Sequence, residues 1–158
     1  EDMELVKAWS TWKEGFAAAF VGRRFDTRAK LVANNYEWQQ IFMNKPSVNV
    51  DADATTITAS KGFWQETVEN SKATAITDIT GAKAGVGYII ECGSITNAST
   101  IAKTGKFAEI SEAYTPTAVG DYIMVVLNKD GNFRELERCV GGVRKVNADL
   151  QPNLPGVR

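Results

Sequence analysis

The amino-acid sequence predicts a mainly β fold, which can be a sandwich, a barrel or a short solenoid, preceded by an N-terminal α-helical region of one or two helices. Three observations support this prediction. Aromatic and apolar residues recur at helical spacing before Pro46. After Pro46, short runs rich in Thr, Val and Ile are separated by glycine turns, a pattern typical of β-strands. Only two of the 13 glycines and none of the four prolines precede Pro46, so the composition changes at the same point.

The chain is therefore expected to divide into a helical anchoring or oligomerisation region, residues 1–45, and a β domain, residues 46–158. The first part contains three of the four tryptophans and carries seven Lys and Arg against six Asp and Glu. The remainder carries eleven against thirteen, so neither part has the charge of a solvated tail. A length of 158 residues suits one ordinary domain with an appended region.

One aromatic stripe defines the first predicted helix. Its members follow one another at steps of four, three, four and four residues, which places them on one helical face. They are Leu5, Trp9, Trp12, Phe16 and Phe20. Gly22 is placed to end this helix, because glycine readily adopts the left-handed conformation that closes a helix.

A second helix is predicted after Asp26, whose carboxylate can accept hydrogen bonds from the free amides of the first turn. Four residues at steps of four, three and four share one face of this helix: Leu31, Asn35, Trp38 and Phe42. We expect this helix to end before Pro46, because proline disfavours helical geometry in the residue that precedes it.

The aromatic residues of the N-terminal region have two interpretations, and the sequence leaves both open. They can pack on the β domain of the same chain, or they can form a seam with another subunit or protein. Aromatic anchors dominate the binding energy of many protein interfaces. We therefore expect an assembly interface formed by Trp9, Trp12, Phe16, Phe20 and Trp38.

The clearest predicted strands of the β domain are the apolar runs at residues 88–92 and 122–127. The pair Asp130-Gly131 predicts a tight hairpin turn, because these residues accept the positive φ angles that such turns need. A returning strand is predicted at residues 133–138, although its alternation of apolar and polar residues is imperfect.

Two features of the β domain leave alternatives open. Thr-rich runs surround Ile57, Ile76 and Ile101, which are 19 and then 25 residues apart. This spacing can mark similar strands in successive layers, or it can reflect β propensity alone. The cysteines Cys92 and Cys139 are either two buried reduced thiols or one disulfide.

The absence of histidine excludes several chemistries at once. A Ser-His-Asp or Cys-His nucleophile and a His-ligated zinc or haem site all require an imidazole. The balance of 18 basic and 19 acidic residues argues against nucleic-acid binding, which usually needs a basic excess. The longest apolar runs are far shorter than the ~20 residues of a membrane-spanning helix. We therefore expect no catalytic residues, no metal ligands, no cofactor, and neither nucleic acid nor membrane as a partner.

Two motifs resemble ligand sites but lack the residues that those sites need. Asp51-Ala52-Asp53 opens like a calcium-binding loop, which requires glycine at its sixth position and glutamate at its twelfth. Thr56 and Gly62 occupy those positions. Residues 81–87 resemble a phosphate-binding loop, but they lead into a predicted strand instead of a Lys-Ser or Lys-Thr helix start.

A succession of glycine turns and short strands runs through residues 75–138. It opens with Ile-Thr-Asp-Ile-Thr-Gly at 76–81 and continues through segments 85–90, 93–101, 105–107, 114–116, 119–123 and 130–136. This pattern resembles a β module of virion proteins of tailed phages and prophages, including head-fibre and capsid-associated proteins. The resemblance covers roughly 40% of the 158-residue chain, and residues 1–45 lie outside it.

The resemblance implies a structural component of a virion, such as a head fibre, a capsid decoration protein or a tail component. Such a protein acts by self-assembly and particle binding, as a homo-oligomer with a trimer favoured, and its other partners are virion proteins. It implies no cofactor. The expected location is the virion, or the bacterial cytoplasm before assembly. The pattern is architectural, so it carries over no binding residues.

The alternative function is that of a carbohydrate-binding or surface-ligand-binding module of a bacterial protein. Aromatic rings can stack on sugar rings when one ring face is exposed. Trp64, which follows Phe63 in a turn that begins with glycine, and Tyr114 are the candidate stacking residues. The rival interpretation of Phe63 and Trp64 is that they cap a hydrophobic core.

Overall fold

The structure is a computed structural model, and it describes residues 47–147. This part of the chain is mainly β, which confirms the predicted class of the β domain. The two helices and the assembly interface predicted within residues 1–45 lie outside the described residues. Within residues 47–147, no helix has the length and apolar character that crossing a membrane requires.

The described residues form ten β-strands and two short 3₁₀ helices. In chain order the strands are β1 (Val48–Asn49), β2 (Thr56–Thr58), β3 (Trp64–Glu66), β4 (Thr74–Ala75), β5 (Asp78–Thr80), β6 (Gly87–Glu91), β7 (Ser99–Thr100), β8 (Tyr122–Leu127), β9 (Phe133–Val140) and β10 (Val143–Val146). The 3₁₀ helices span Ala59–Lys61 and Gly105–Phe107. The strands predicted near residues 88–92, 122–127 and 133–138 are confirmed as β6, β8 and β9.

The first half of the described chain winds as a parallel coil. Strands β1, β3 and β6 are neighbours in one sheet and run parallel. Two further parallel pairs, β2 with β5 and β4 with β7, form separate two-stranded sheets. Each turn of the chain therefore lies beside the previous turn, with register partners such as Ile57 and Ile79. This arrangement buries the apolar side chains of successive turns on top of one another.

The second half of the described chain extends the largest sheet with antiparallel strands. The full strand order is β1-β3-β6-β8-β9-β10. The predicted hairpin is confirmed: Gly131 has φ 87°, and the amide of Asn128 donates to the carbonyl of Asn132 over 2.8 Å. A β-bulge explains the imperfect alternation of β9, because Met124 pairs with Glu137 while Val125 pairs with Glu135. Leu136 is the extra residue.

The main hydrophobic core lies between the inner face of the six-stranded sheet and the two smaller sheets. The rings of Phe107 and Phe133 stack in it, with their centroids 4.9 Å apart. The successive layers suggested by the spacing of the three isoleucines are found for Ile76 and Ile101 but not for Ile57 with Ile76. Ile76 and Ile101 follow the paired residues Ala75 and Thr100 and so occupy adjacent layers. Ile57, by contrast, pairs with Ile79 and not with Ile76.

Side chains on the other face of the six-stranded sheet, here called the outer face, form a row across three strands. Trp64 of β3 pairs with Ile89 of β6, which pairs with Met124 of β8. All three residues are buried, yet none belongs to the main core cluster. The side chains of β6 are therefore buried on both faces of the sheet, which explains why this strand lacks the alternation of a half-exposed strand.

Candidate interaction surface

Three loops meet at one end of the six-stranded sheet. Residues 92–98 follow β6, residues 115–121 precede β8, and residues 141–142 join β9 to β10. They meet because β8 runs antiparallel to both β6 and β9, so its beginning lies beside their ends. The amide of Gly120 donates to the carbonyl of Cys92 over 2.8 Å, and this bond ties the first two loops together.

The buried carboxylate of Asp121 fixes the second and third loops. It accepts hydrogen bonds from the amides of Thr117 at 2.8 Å, Ala118 at 3.0 Å and Gly141 at 3.0 Å. Burial by itself raises the pKa of Asp121, but the donors of Thr117, Gly141 and Ala118 outweigh that effect and hold the pKa below its usual value. The charged carboxylate therefore holds the loop at residues 115–121 and the loop at residues 141–142 together.

A close backbone approach fixes the first loop. A Cβ atom placed on Gly93 would lie 2.1 Å from the carbonyl oxygen of Thr67, so only glycine fits there. The side-chain amide of Asn70 donates to the carbonyl of Asn97 and to the hydroxyl of Ser99, at 2.8 and 2.9 Å. The side-chain amide of Asn97 donates in turn to the backbone carbonyl of Asn70 over 3.0 Å.

Three large aliphatic side chains are exposed at this end of the sheet. Ile95 and Val119 lie on the first and second loops, and Val143 begins the strand that follows the third loop. Ile95 is 57% exposed, Val119 is 64% exposed and Val143 is 72% exposed. They are the exposed large hydrophobic residues of the described part of the chain. Apolar groups held on an ordered backbone lose little entropy when a partner covers them. All three lie at the end of the six-stranded sheet where the loops meet, which makes this end the candidate interaction surface.

Buried ion pairs occupy the strands beside this end. The carboxylate of Glu137 accepts two bonds from the guanidinium of Arg144, at 2.7 and 2.9 Å, and one from the hydroxyl of Tyr122 at 2.5 Å. Burial and the neighbouring Glu137 carboxylate raise the pKa of Tyr122. These contacts hold β8, β9 and β10 together, which is a structural task.

The two cysteines do not pair, which answers the question left by the sequence in favour of reduced thiols. Glu91, Tyr122 and Cys139 are register partners across three strands, so their side chains share the outer face. Cys92 follows Glu91 and therefore points to the opposite face. Burial raises the pKa of both thiols. Within residues 47–147, no group of three or more Cys, Asp or Glu side chains is placed to hold a metal ion.

The structure buries both residues that were predicted to stack on a ligand. Trp64 is 6% exposed, and its indole nitrogen donates to the carboxylate of Glu91 over 2.8 Å. Tyr114 is 1% exposed, and its hydroxyl donates to the carbonyl of Asp121 over 3.1 Å. Burial, which also raises the pKa of Tyr114, leaves neither ring a free face for a sugar.

The exposed aliphatic residues were missed because each stands alone in a polar loop and belongs to no pattern. One signal was available: Ile95, Val119 and Val143 each have a glycine within two positions, so each borders a turn that would carry it to the surface.

Comparisons of the chain with protein families, with curated proteins and with solved structures find no match.

Proposed function

We propose that the protein is a structural component of a phage or prophage particle, as a head fibre, a capsid decoration protein or a tail component. It acts by self-assembly and by binding other virion proteins. The observation that carries the proposal is that three large aliphatic side chains are exposed at the same end of the six-stranded sheet, Ile95 and Val119 on loops and Val143 at the start of β10. A protein that acts by binding other proteins gains affinity when its binding surface is preorganised, because less conformational entropy is lost on binding.

The internal bonding supports an architectural role. The most deeply buried carboxylates of the described chain, Glu135 and Glu137, are paired with Arg138 and Arg144. They serve to join strands and loops. The resemblance to virion proteins spans residues 75–138, which include two of the three loops at this end of the sheet.

Self-assembly into a homo-oligomer, with a trimer favoured, would also protect the outermost strand. Strand β10 lies at the edge of the six-stranded sheet, and its residues alternate between exposed and half-buried positions. An edge strand offers unpaired backbone groups to another chain unless charged residues or a neighbour cover it. Val143 begins this strand, so one contact can cover both the edge and the aliphatic surface.

The mass of the full chain in solution tests the proposal. We expect light scattering at micromolar concentration to give an oligomer, and the triple variant Ile95→Ser, Val119→Ser, Val143→Ser to give a smaller mass with unchanged circular dichroism. A matched triple variant at exposed polar positions, Lys72→Ser, Lys103→Ser and Lys129→Ser, should keep the wild-type mass. A monomeric wild-type chain that also fails to bind purified particles would overturn the proposal.

The assembly role predicted for Trp9, Trp12, Phe16, Phe20 and Trp38 lies outside the described residues and stays a prediction. The alternative function, carbohydrate or surface-ligand binding, loses support because Trp64 and Tyr114 are buried. The particle location, in the virion or in the bacterial cytoplasm before assembly, follows from the same proposal. Mass spectrometry of purified particles tests it directly, because a virion component must be present in them.

A further inference from the structure

Two connecting segments in successive turns of the coil have the same length and equivalent positions. One, residues 67–73, joins β3 to β4, and the other, residues 92–98, joins β6 to β7. Strand β3 pairs with β6 and β4 pairs with β7, and in both pairs the partner residue is 25 positions further along the chain. The two segments therefore correspond residue by residue, and Ile95 is the counterpart of Asn70.

The burial of these two counterparts is the reverse of what their chemistry favours. Asn70 is 2% exposed, whereas Ile95 is 57% exposed. Further along the same two turns of the coil, the counterparts Ile76 and Ile101 are both buried. An amide placed inside and a large aliphatic side chain placed outside are unfavourable unless specific contacts stabilise that arrangement. The hydrogen bonds of Asn70 provide such contacts.

The side chain of Asn70 bonds to the preceding and the following turn of the coil. Its amide group donates to the carbonyl of Asn97 over 2.8 Å and to the hydroxyl of Ser99 over 2.9 Å. Its side-chain oxygen accepts a hydrogen bond from the backbone amide of Asp53 over 2.7 Å. Both amide hydrogens and the oxygen therefore have partners, which is the condition for burying such a group.

The backbone of Asn97 adopts an unusual conformation where it meets Asn70. Asn97 has φ 48°, and Asp53, with φ 63°, is the other non-glycine residue with positive φ within residues 47–147. Positive φ is unfavourable for most residues, and Asn and Asp tolerate it best. Both residues with this conformation bond to the side chain of Asn70. The side-chain amide of Asn97 also donates to the backbone carbonyl of Asn70 over 3.0 Å, so bonds in both directions join the pair.

We propose that Asn70 is a positioning residue that keeps Ile95 on the surface of the protein. The bond to Asn97 holds the far end of the first loop on the coil, and the close approach of Gly93 to Thr67 holds its near end. Ile95 lies midway between these two anchors and is exposed there. An apolar side chain held in this way loses less entropy when a partner covers it, so the anchors add to the affinity of the contact.

The partner that Ile95 fits is a second copy of this chain. Neither residues 92–102 nor residues 113–120, which contain the first two loops up to Gly120, include a charged side chain. A contact between identical surfaces brings like charges together, and these segments have none to repel one another. The role of Ile95 in such a contact rests on the proposed function, whereas the role of Asn70 in positioning it does not.

Methyl NMR of the full chain tests the position of Ile95. A dissolved paramagnetic chelate broadens the signals of exposed methyl groups, and Ile95 is the exposed isoleucine within residues 47–147. The protein carries Val119→Ser and Val143→Ser as a background, so that contacts between copies do not shield Ile95. We expect Asn70→Ala to reduce the broadening of the Ile95 methyl signal about twofold, because the loop loses its bonds and turns toward the vacated space.

Ser71→Ala is the matched control. It removes a hydroxyl that bonds to Asp53 from the same segment, and it leaves the bonds between Asn70 and the first loop intact. The Ile95 methyl signal should therefore broaden in this variant as it does in the background protein. Equal broadening in Asn70→Ala, with circular dichroism unchanged, would overturn the proposal, because a residue that only adds stability leaves the folded loop in place.

The wild-type chain provides a second measurement if Asn70→Ala does not fold. The side-chain amide hydrogens of Asn70 are buried and bonded, so they should exchange with deuterium about tenfold more slowly than those of the exposed Asn49. Asn97 should show the coupling between its amide and Hα hydrogens that a positive φ produces. Equal exchange rates for Asn70 and Asn49, or a negative φ at Asn97, would refute the positioning role.

Light scattering separates this role from the proposed function. If Ile95 contributes to assembly, Asn70→Ala in the otherwise wild-type chain should have a smaller mass than Ser71→Ala at the same concentration. A monomeric wild-type chain would contradict assembly, and the NMR measurements would still decide the role of Asn70. An unchanged mass of Asn70→Ala together with a shielded Ile95 would overturn the contact between copies at Ile95.

Discussion

The guanidinium of Arg138 donates a hydrogen bond to the carboxylate of Glu135, three residues earlier on the same strand, over 2.7 Å. Residues three apart on a regular strand point to opposite faces, so this contact needs an irregularity. The bulge at Leu136 provides it, because the extra residue returns Glu135 and Arg138 to the same inner face. Arg138 also donates to the carbonyl oxygens of Glu112 and Ala113, at 2.7 and 3.0 Å. The pair thereby ties the segment before Tyr114 to β9.

Replacement of Arg138 by alanine should lower the free energy of unfolding by about 3–5 kcal/mol, because it leaves the carboxylate of Glu135 buried without its cation. Urea unfolding at neutral pH measures the loss. Arg134→Ala on the same strand is the control: its pair with Glu109 is exposed and 3.6 Å long, so the expected cost is below ~1 kcal/mol. Equal losses in the two variants would contradict the structural role of the buried pair.

The strands of the antiparallel half were predictable because their signals are local. Asp130-Gly131 specifies a turn by its own conformational preference, and the flanking apolar runs at β8 and β9 supply the two strands. The bulge was visible only as an imperfect alternation. Its register depends on which residue of β8 faces Glu135, and a single strand's sequence does not contain that information.

The parallel coil was harder to predict because its contacts are distant in the chain. Gln65 pairs with Ile90, which is 25 positions further along the chain, and the residues between them include two short strands that belong to other sheets. Strands of two or three residues carry too little pattern to be recognised singly. Tyr114 shows the same limit: its antiparallel bridge to Ile101 draws an apparent loop residue into the core. The candidate surface was missed since exposure depends on the whole fold.

Substitution of Gly93 by alanine should destabilise the fold by about 1–3 kcal/mol or more, because the new methyl group would overlap the carbonyl oxygen of Thr67 and force the backbone to move. Gly81→Ala is the matched control. Gly81 has φ +80° with open space around it, so alanine there meets conformational strain alone, at about 1 kcal/mol. Thermal unfolding followed by circular dichroism compares them. A smaller loss for Gly93→Ala than for Gly81→Ala would show that the first loop tolerates rearrangement.

The two thiols should stay reduced and react slowly with a thiol reagent at pH 7.5, because burial raises the pKa of both and the thiolate is the reacting form. Cys139 is half-buried and Cys92 is buried, so Cys139 should react first. Peptide mass spectrometry after alkylation with iodoacetamide identifies the order, and Cys139→Ser should remove the faster phase. A reducing agent should leave the melting temperature unchanged. A drop in that temperature would indicate a disulfide and contradict the opposite facing of the two side chains.

Asp121 should make the free energy of unfolding depend on pH in the acidic range. Its pKa in the folded chain lies below the ordinary value of 3.8, because the amides of Thr117, Gly141 and Ala118 outweigh the effect of burial. A group of this kind contributes stability that is fully present above the unfolded pKa and is lost as the pH falls through the folded pKa. The contribution of Asp121 should therefore be constant from pH 8 to 5 and shrink below about pH 4.

The variant Asp121→Asn isolates this contribution, because its amide brings donor hydrogens to a position that receives three backbone donors. We expect it to unfold about 1–3 kcal/mol more easily than wild type at pH 7, with the difference narrowing at pH 3. Urea titrations at pH 7, 5, 4 and 3 measure both free energies. Asp130→Asn, at the exposed hairpin turn, should match wild type throughout. If the difference in unfolding free energy between Asp121→Asn and wild type stays constant down to pH 3, the stabilisation of the two loops does not depend on the charge of the carboxylate.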